Sequence, residues 1–363
     1  MNYKNIRQAE IVCSSKMNCF VGNNGVGKTN LLDAIYYLSF CKSHIYTPEN
    51  QIIYHNEALC MLQGEYDYNS RKEAIDCVIR RGQRKLFKRN QKVYEKLSDH
   101  IGLLPLVMVS PADAELIRGG GEERRRFMDI IISQYDKSYL QALIKYNKLL
   151  IQRNQMLRNQ SLDFTLFEVL ETQMGSLGKL IFAGRDRLIK SLLPFFHTYY
   201  QEICRSAETV NLNYISQLHE GEFEKRLAAN REREAAVGYT LTGIHRDDLE
   251  MTLNNHLIRH IGSQGQNKTY LIALKLAQYV FLSSTGDTKP ILLLDDIFDK
   301  LDAERVEQIM QLVGGEQFGQ IFITDTNREY LDRIVATINR DYALFKVENG
   351  DVFLMGEAGG IEI

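Results

Sequence analysis

Three short stretches of this 363-residue chain carry residue types able to do chemistry on a nucleoside triphosphate. Gly22-Asn23-Asn24-Gly25-Val26-Gly27-Lys28-Thr29 has the glycine spacing of a P-loop, with Asn30 extending it. Gly22 and Gly27 let the backbone curl until its N–H groups point at phosphate oxygens, Lys28 reaches the β and γ phosphates, and the Thr29 hydroxyl ligates Mg²⁺. An apolar run, Ile291-Leu292-Leu293-Leu294, delivers Asp295 and Asp296. Asp295 is the candidate for the Mg²⁺ shell, and Asp296 the candidate for orienting or polarising an attacking water. Lys28 and Asp296 are thus the candidate catalytic pair. Ser263-Gln264-Gly265-Gln266 places a hydroxyl and a glycine amide ahead of a helical pattern, either a turn with an N-cap or a helix start that meets an anion.

These residues need a frame. Lys16 to Val21 reads as a short strand entering the loop, and Leu31, Ile35 and Leu38 line one face of the helix leaving it. Ile291 to Leu294 lacks alternation, which predicts a strand buried on both faces in a parallel sheet; Gln320 to Thr324 fits the same sheet. Leu271, Leu274, Ala277 and Phe281 mark a helix after the Ser-x-Gly-Gln element. About 270 residues separate the P-loop from the Asp pair, more than a typical domain holds, so one α/β head is expected to be interrupted by an insertion.

The intervening chain supports that reading. Between Ala58 and Tyr94, Ile75, Cys77 and Ile79 alternate with Asp76, Val78 and Arg80, which predicts an antiparallel meander. Its far end is basic: Arg80, Arg81, Arg84, Lys85, Lys88, Arg89 and Lys92 fall within thirteen residues that contain no acid. Such a run is either a charge-guarded strand edge or a contact for a phosphate backbone, and Arg80, Arg81, Arg84, Lys85, Lys88 and Arg89 are the DNA-binding candidates. Leu103 to Val109 ends at Ser110-Pro111, and Gly119-Gly120-Gly121 follows. Helical periodicity then takes over in Leu140 to Leu157 and again in Leu166 to Ile181, predicting two long antiparallel helices around a polar break from Arg158 to Thr165. Glu220 to Glu234 mixes charges and reads as a solvated helix face. The expected division is a discontinuous head, 1–111 and 238–363, and a helical arm, 112–237, forming a second lobe.

Composition narrows the function classes. A formal net charge of −2 excludes binding driven by an overall positive field, so nucleic-acid contact must come from local patches. Cys13, Cys19, Cys41, Cys60, Cys77 and Cys204 show no metal-ligand spacing, which fits reduced thiols and no zinc site. No signal-peptide core and no run of about 20 apolar residues appears. A cytoplasmic protein is expected.

The order of the motifs is that of ATPases of the ABC class, in which the Ser-x-Gly-Gln serine and glycine amides cap the γ-phosphate held by the other subunit. By that likeness Ser263, Gly265 and Asp302, in Lys300-Leu301-Asp302, belong at a nucleotide-dependent dimer interface, with Gln266 beside them. More specific are Ser110-Pro111-Ala112-Asp113 leading to Arg124-Arg125-Arg126-Phe127-Met128-Asp129, and Gly243-Ile244-His245-Arg246-Asp247-Asp248. Together with Gly22 to Asn30 and Asp295-Asp296, they make essentially the whole chain resemble the RecF family, bacterial recombinational-repair ATPases related to SMC proteins.

The resemblance implies an ABC/SMC-type ATPase head with an inserted arm and no long coiled coil. It also implies ATP and Mg²⁺ as cofactors, an ATP-dependent homodimer, binding of single-stranded, double-stranded and gapped DNA, and slow hydrolysis used as a switch. Recombinase loading, SOS induction, replication restart and recombination mediator partners come with it. Relative to that pattern, Tyr3-Lys4-Asn5-Ile6-Arg7 follows no full strand, so either the true start lies upstream or an incomplete sheet edge is expected, with adenine contacts affected. Two other readings share the P-loop: the nucleotide-binding subunit of a membrane transporter, disfavoured by the arm and the basic hairpin, and a small-molecule kinase, which needs no Ser-x-Gly-Gln element.

Overall fold

The computed structural model describes residues 1–45, 48–68, 70–160, 163–205, 207–221, 223–298, 301–328 and 341–358. It divides into two compact units, the first comprising Met1–Asp113, Tyr199–Arg205 and Gln264–Ile363, the second Ala114–Thr198 and Ser206–Ser263. In chain order the first unit begins with β1 (Met17–Val21), α1 (Lys28–Phe40), α2 (Glu49–Ile52), β2 (Leu59–Tyr68), β3 (Arg71–Arg80), β4 (Leu86–Arg89), β5 (Lys92–Val93) and β6 (Leu106–Val109). There follow α3 (Ala114–Arg118), α4 (Gly121–Tyr135), α5 (Lys137–Arg158), α6 (Phe164–Cys204), β7 (Val210–Ile215), α7 (Phe223–Ala229), α8 (Arg231–Val237), β8 (Asp248–Leu253), β9 (His256–Leu257) and α9 (Ile258–Ile261). The first unit then resumes with α10 (Gln264–Thr285), β10 (Ile291–Asp295), α11 (Ala303–Gly314), β11 (Ile321–Asp325), β12 (Tyr342–Glu348) and β13 (Asp351–Ala358).

In the first unit a six-stranded sheet runs in the order β13-β12-β1-β11-β10-β6. All neighbours are parallel except β12 and β13. Every residue of β1, β6 and β11 is buried, as expected for strands covered on both faces. Parallel alignment brings the carboxyl ends of β1, β11, β10 and β6 to one edge, where they lead into Gly22, Thr326, Asp296 and Ser110. Such an edge is where α/β sheets bind ligands.

The antiparallel meander expected from alternation is the sheet β2-β3-β4-β5. Its inner residues, among them Cys60, Leu62, Ile75, Cys77, Ile79 and Phe87, pack with Tyr37 and Leu38 of α1 in one apolar cluster. That cluster anchors the P-loop helix from behind. Four cysteines, Cys19, Cys41, Cys60 and Cys77, are buried core residues. The N-terminal segment forms no strand. It is tied along β2 and α2, with Met61 N–H donating to the Met1 carbonyl at 2.9 Å and Lys4 N–H donating to the Ile52 carbonyl at 2.7 Å.

In the second unit α5 and α6 run antiparallel. Arg153 pairs with Glu171 at 2.9 Å, and one Cβ on Gly184 would lie 2.7 Å from the Tyr139 ring, so glycine lets the two helices close together. α6 extends beyond the predicted stripe to Cys204 and carries Pro194 internally. The second unit also holds the antiparallel sheet β7-β8-β9, registered from Val210↔Leu253 to Ile215↔Asp248. Pairing of β8 with β7 moves the second boundary from the expected 237/238 to 263/264, while the first falls at 113/114. The segment from Glu220 to Glu234 is solvated on one side only, where Lys225, Glu232 and Arg233 are exposed. Phe223, Leu227 and Glu234 are buried, and Glu234 lies 2.6 Å from the buried Arg153 guanidinium, which also holds Glu171. A charge this deep is tolerated only because it is paired.

Candidate functional site

The P-loop bridges the end of β1 and the start of α1, as its residue spacing predicted. Two of its glycines are crowded: a Cβ on Gly22 would sit 2.4 Å from the Val347 carbonyl oxygen, and one on Gly27, whose φ is +117°, would sit 2.9 Å from the Asn5 side chain; Gly25 has open space but a φ of +82°. Neighbouring segments brace the loop from outside. Asn30 Nδ2 donates to Asn5 Oδ1 at 2.7 Å, Asn5 Nδ2 donates to the Gly25 carbonyl at 3.4 Å, and Gly350 N–H donates to the Val26 carbonyl at 3.1 Å. The Lys28 ammonium, almost fully buried, donates to the Gly22 and Asn23 carbonyls at 2.6 and 2.9 Å. Burial lowers its pKa, and Asp296, Asp295 and Asp325 pull it back up.

Opposite the loop, Thr29 Oγ1 donates to Asp295 Oδ1 at 3.0 Å across 266 residues of sequence. Thr324 Oγ1 donates to the same oxygen at 2.7 Å. Burial pushes the Asp295 carboxyl above the usual range, opposed by these two hydroxyls. The sequence-predicted metal ligands therefore meet. Asp296 follows at the strand end with φ +49°, a left-handed conformation rare for a residue with a side chain, and its N–H donates to Thr324 Oγ1 at 3.1 Å. Thr324 and Asp325 had no motif to announce them. Only the order of strands, which places β11 between β1 and β10, brings them in. Glycines without room for a Cβ, a lysine at the loop and a Thr–Asp pair at its mouth fit a magnesium triphosphate.

Two of the remaining interface candidates, Gly265 and Asp302, lie beside one side chain, that of Arg305. Ser263 immediately precedes α10, whose first turn carries Gly265 and Gln266. Asp302 caps α11, accepting the Arg305 N–H at 2.9 Å, and lies 3.5 Å from the Arg305 guanidinium. The same guanidinium lies 3.1 Å from where a Gly265 Cβ would stand, so Arg305, unmarked in sequence, links Asp302 to α10. Lys300 lies outside the described residues. The Ser110 to Asp113 element seats α10: Asp113 accepts the Ser110 N–H at 2.8 Å and pairs with the buried Lys275 of α10 at 2.7 Å.

The Gly243 to Asp248 element and the arginines at 124 and 125 prove to be the polar hub of the second unit. Arg124 grips Asp248 with two bonds of 2.6 and 3.0 Å, and Arg125 donates to the Asp247 carbonyl at 2.7 Å. The Asp247 carboxylate accepts from buried Arg185 at 2.8 Å and from the Tyr214 hydroxyl. His245 lies between the Tyr146 hydroxyl at 3.2 Å and the Thr240 carbonyl at 3.0 Å, and burial pushes its pKa down to about 4. Arg246 stacks over the Tyr239 ring, 5.3 Å from its centroid. These roles are internal to the unit.

The basic hairpin is less free than its composition implies. Lys85 lies 2.5 Å from Glu49, and Arg89 makes two bonds to Glu73 of 2.8 and 2.6 Å. Arg81 donates to the Glu57 and Asn50 carbonyls, and Arg84 to the Glu95 carbonyl. Arg80 and Lys88 are the candidates whose side chains make no ion pair or hydrogen bond to a described residue, Arg80 exposed and Lys88 half-buried. Opposite-charge partners are invisible in a count of local basic residues, because Glu49 and Glu73 come from other elements.

Comparison with known proteins gives a consistent picture. A family model described as the RecF/RecN/SMC N terminal domain matches residues 1–351. The DNA replication and repair protein RecF of Parabacteroides distasonis is 64% identical over 357 residues, covering 98% of both chains. That of Bacteroides fragilis is 53% identical over 359 residues, covering 98% of this chain and 97% of its own. A solved structure described as the recombination mediator protein RecF-ATP in the RecFOR pathway matches at TM-score 0.87 and 26% identity, covering 98% of this chain and 96% of that one. An Smc head domain from Pyrococcus furiosus shares the fold at TM-score 0.58 and 17% identity, covering 98% and 94%. The fold class is the SMC-type P-loop ATPase head anticipated from the residues.

Proposed function

We propose, on the premise that this chain belongs to the RecF family, that it is an ATP-gated DNA-binding protein of replication and recombinational repair. The observation that carries the nucleotide half of this reading is the Thr29–Asp295 hydrogen bond at 3.0 Å beneath a loop in which Gly22 and Gly27 leave no room for a side chain. Thr29 and Asp295 would hold Mg²⁺, which when bound neutralises charge on the phosphates. Lys28 binds the β and γ phosphates, and Asp296 orients the attacking water, so the chain is a weak ATPase acting as a switch. Ser263, Gly265, Gln266 and Asp302 serve the nucleotide of a second copy, which makes ATP the tie between two heads.

The first unit acts as the discontinuous ATPase head and the second as the helical arm. DNA, single-stranded, double-stranded or gapped, is the second ligand. Arg80 and Lys88 are the hairpin cations best placed to meet its phosphates, with Arg81, Arg84, Lys85 and Arg89 behind them. Recombinase loading, SOS induction, docking of other mediators and a cytoplasmic location complete the reading by family likeness. Among the described residues no helix is long and apolar enough to cross a membrane. Nothing in the relatives favours the transporter or kinase readings.

The test is equilibrium binding of gapped DNA in Mg·ATP, in Mg·ADP and without nucleotide. Affinity should rise by about tenfold in Mg·ATP, equivalent to about 1.4 kcal/mol. Arg80→Ala with Lys88→Ala should weaken binding in every state and flatten its salt dependence. Equal affinity in all three states rejects the gating; unchanged affinity of the double variant at two salt concentrations removes the hairpin.

A further inference from the structure

The surroundings of Lys28 hold one more carboxylate than the two motifs supply. β11 lies between β1 and β10, with Asp325 in register with Val21 and Thr324 in register with Asp295. The Asp325 main-chain carbonyl accepts the Gly22 N–H at 3.4 Å, which fixes the residue beside the first P-loop glycine. Its carboxylate accepts the Asn327 N–H at 2.6 Å, and the residue is 5% exposed. Its charge acts on Lys28, and burial together with the neighbouring Asp296 charge pushes its own pKa up.

Each of the other two acids has a task. Asp295 takes two hydroxyl donors, and Asp296 sits at the strand end with its N–H on Thr324. Among the described residues the Asp325 carboxylate meets backbone amides of its own turn, at Thr326 and Asn327, so what it brings to the site is charge. Asp296, Asp295 and Asp325 all act on the Lys28 ammonium, so among these four side chains negative charge is in excess. In a poorly hydrated pocket that imbalance acts strongly on an incoming anion.

We propose that Asp325 is a specificity-determining residue of the nucleotide site, whose negative charge bars a triphosphate arriving without a divalent cation, so that only the metal complex binds. A bare triphosphate carries roughly twice the negative charge of its magnesium complex, so the same carboxylate opposes the first about twice as strongly, in free energy, as the second. The charge filter couples ATP binding to the metal before any chemistry begins.

The inference rests on the nucleotide reading above, and its test separates the two. ATP affinity of the full chain is measured with Mg²⁺ and with excess EDTA, for wild type, Asp325→Asn and Asp325→Glu. Asp325→Asn should raise affinity for metal-free ATP by about tenfold and for Mg·ATP by only about threefold; Asp325→Glu should keep the wild-type ratio. If Asp325→Asn shifts both affinities equally, or neither, the inference is overturned. If no ATP binds even with Mg²⁺, the nucleotide reading itself falls. Should Asp325→Asn fail to fold, wild type decides: raising salt from roughly 0.05 to 0.3 M should strengthen metal-free ATP binding by screening the barrier, and weakening would overturn the proposal.

Discussion

Lys28 and Thr29 occupy adjacent positions in sequence, yet they answer to different partners. The lysine sits among carbonyls of its own loop, and the threonine reaches Asp295 from the far half of the chain. Gly22, Gly27, Lys28, Thr29 and Asp295 were legible because phosphate and metal chemistry constrains residue type and spacing together. Thr324 and Asp325 were not, because strand order, which no local pattern encodes, brings them to the loop. Asp296 carries the sharpest consequence at this scale. Asp296→Asn keeps the shape and removes the negative charge, so ATP binding should persist while single-turnover hydrolysis slows by about 100-fold or more. An unchanged rate would take the water-orienting role away from Asp296.

Helices and strands were read well where periodicity reports burial, and poorly where charge hides it. The meander, the P-loop helix and the apolar strands β10 and β11 followed from alternation or its absence. Glu234 and Arg231 looked like solvated charges, yet Glu234 meets Arg153 and Arg231 meets Glu171, ion pairs whose partners lie up to about eighty residues away. The sheet β7-β8-β9 escaped for a related reason, since pairing between Val210 and Leu253 leaves no local trace. His245 gives this element-level hub a pH signature. Its folded pKa of about 4 lies below the unfolded value of about 6.5, so below that value the unfolded chain takes up a proton that the folded chain refuses. Stability is full above pH ~6.5 and should fall by up to about 3 kcal/mol as pH drops toward 4. Urea midpoints at pH 7.5 and 5 should converge for His245→Gln relative to wild type; an equal drop in both would assign the loss to other groups.

For the whole molecule, interruption of one head by a helical insertion was visible from the distance between the P-loop and the Asp pair. The boundary was not, because β8 belongs by pairing to the insertion rather than to the head it precedes. The account at this scale depends on two copies. Gly265 and Asp302 gather around Arg305 at the start of α10 and α11, where within a single copy they serve only as a helix start and a cap. Sedimentation velocity with Mg·ATP, Mg·ADP and no nucleotide tests this most directly. The account predicts a dimer in Mg·ATP alone, lost in Ser263→Arg although that variant still binds ATP; a wild type that stays monomeric in saturating Mg·ATP, at any protein concentration, would contradict it.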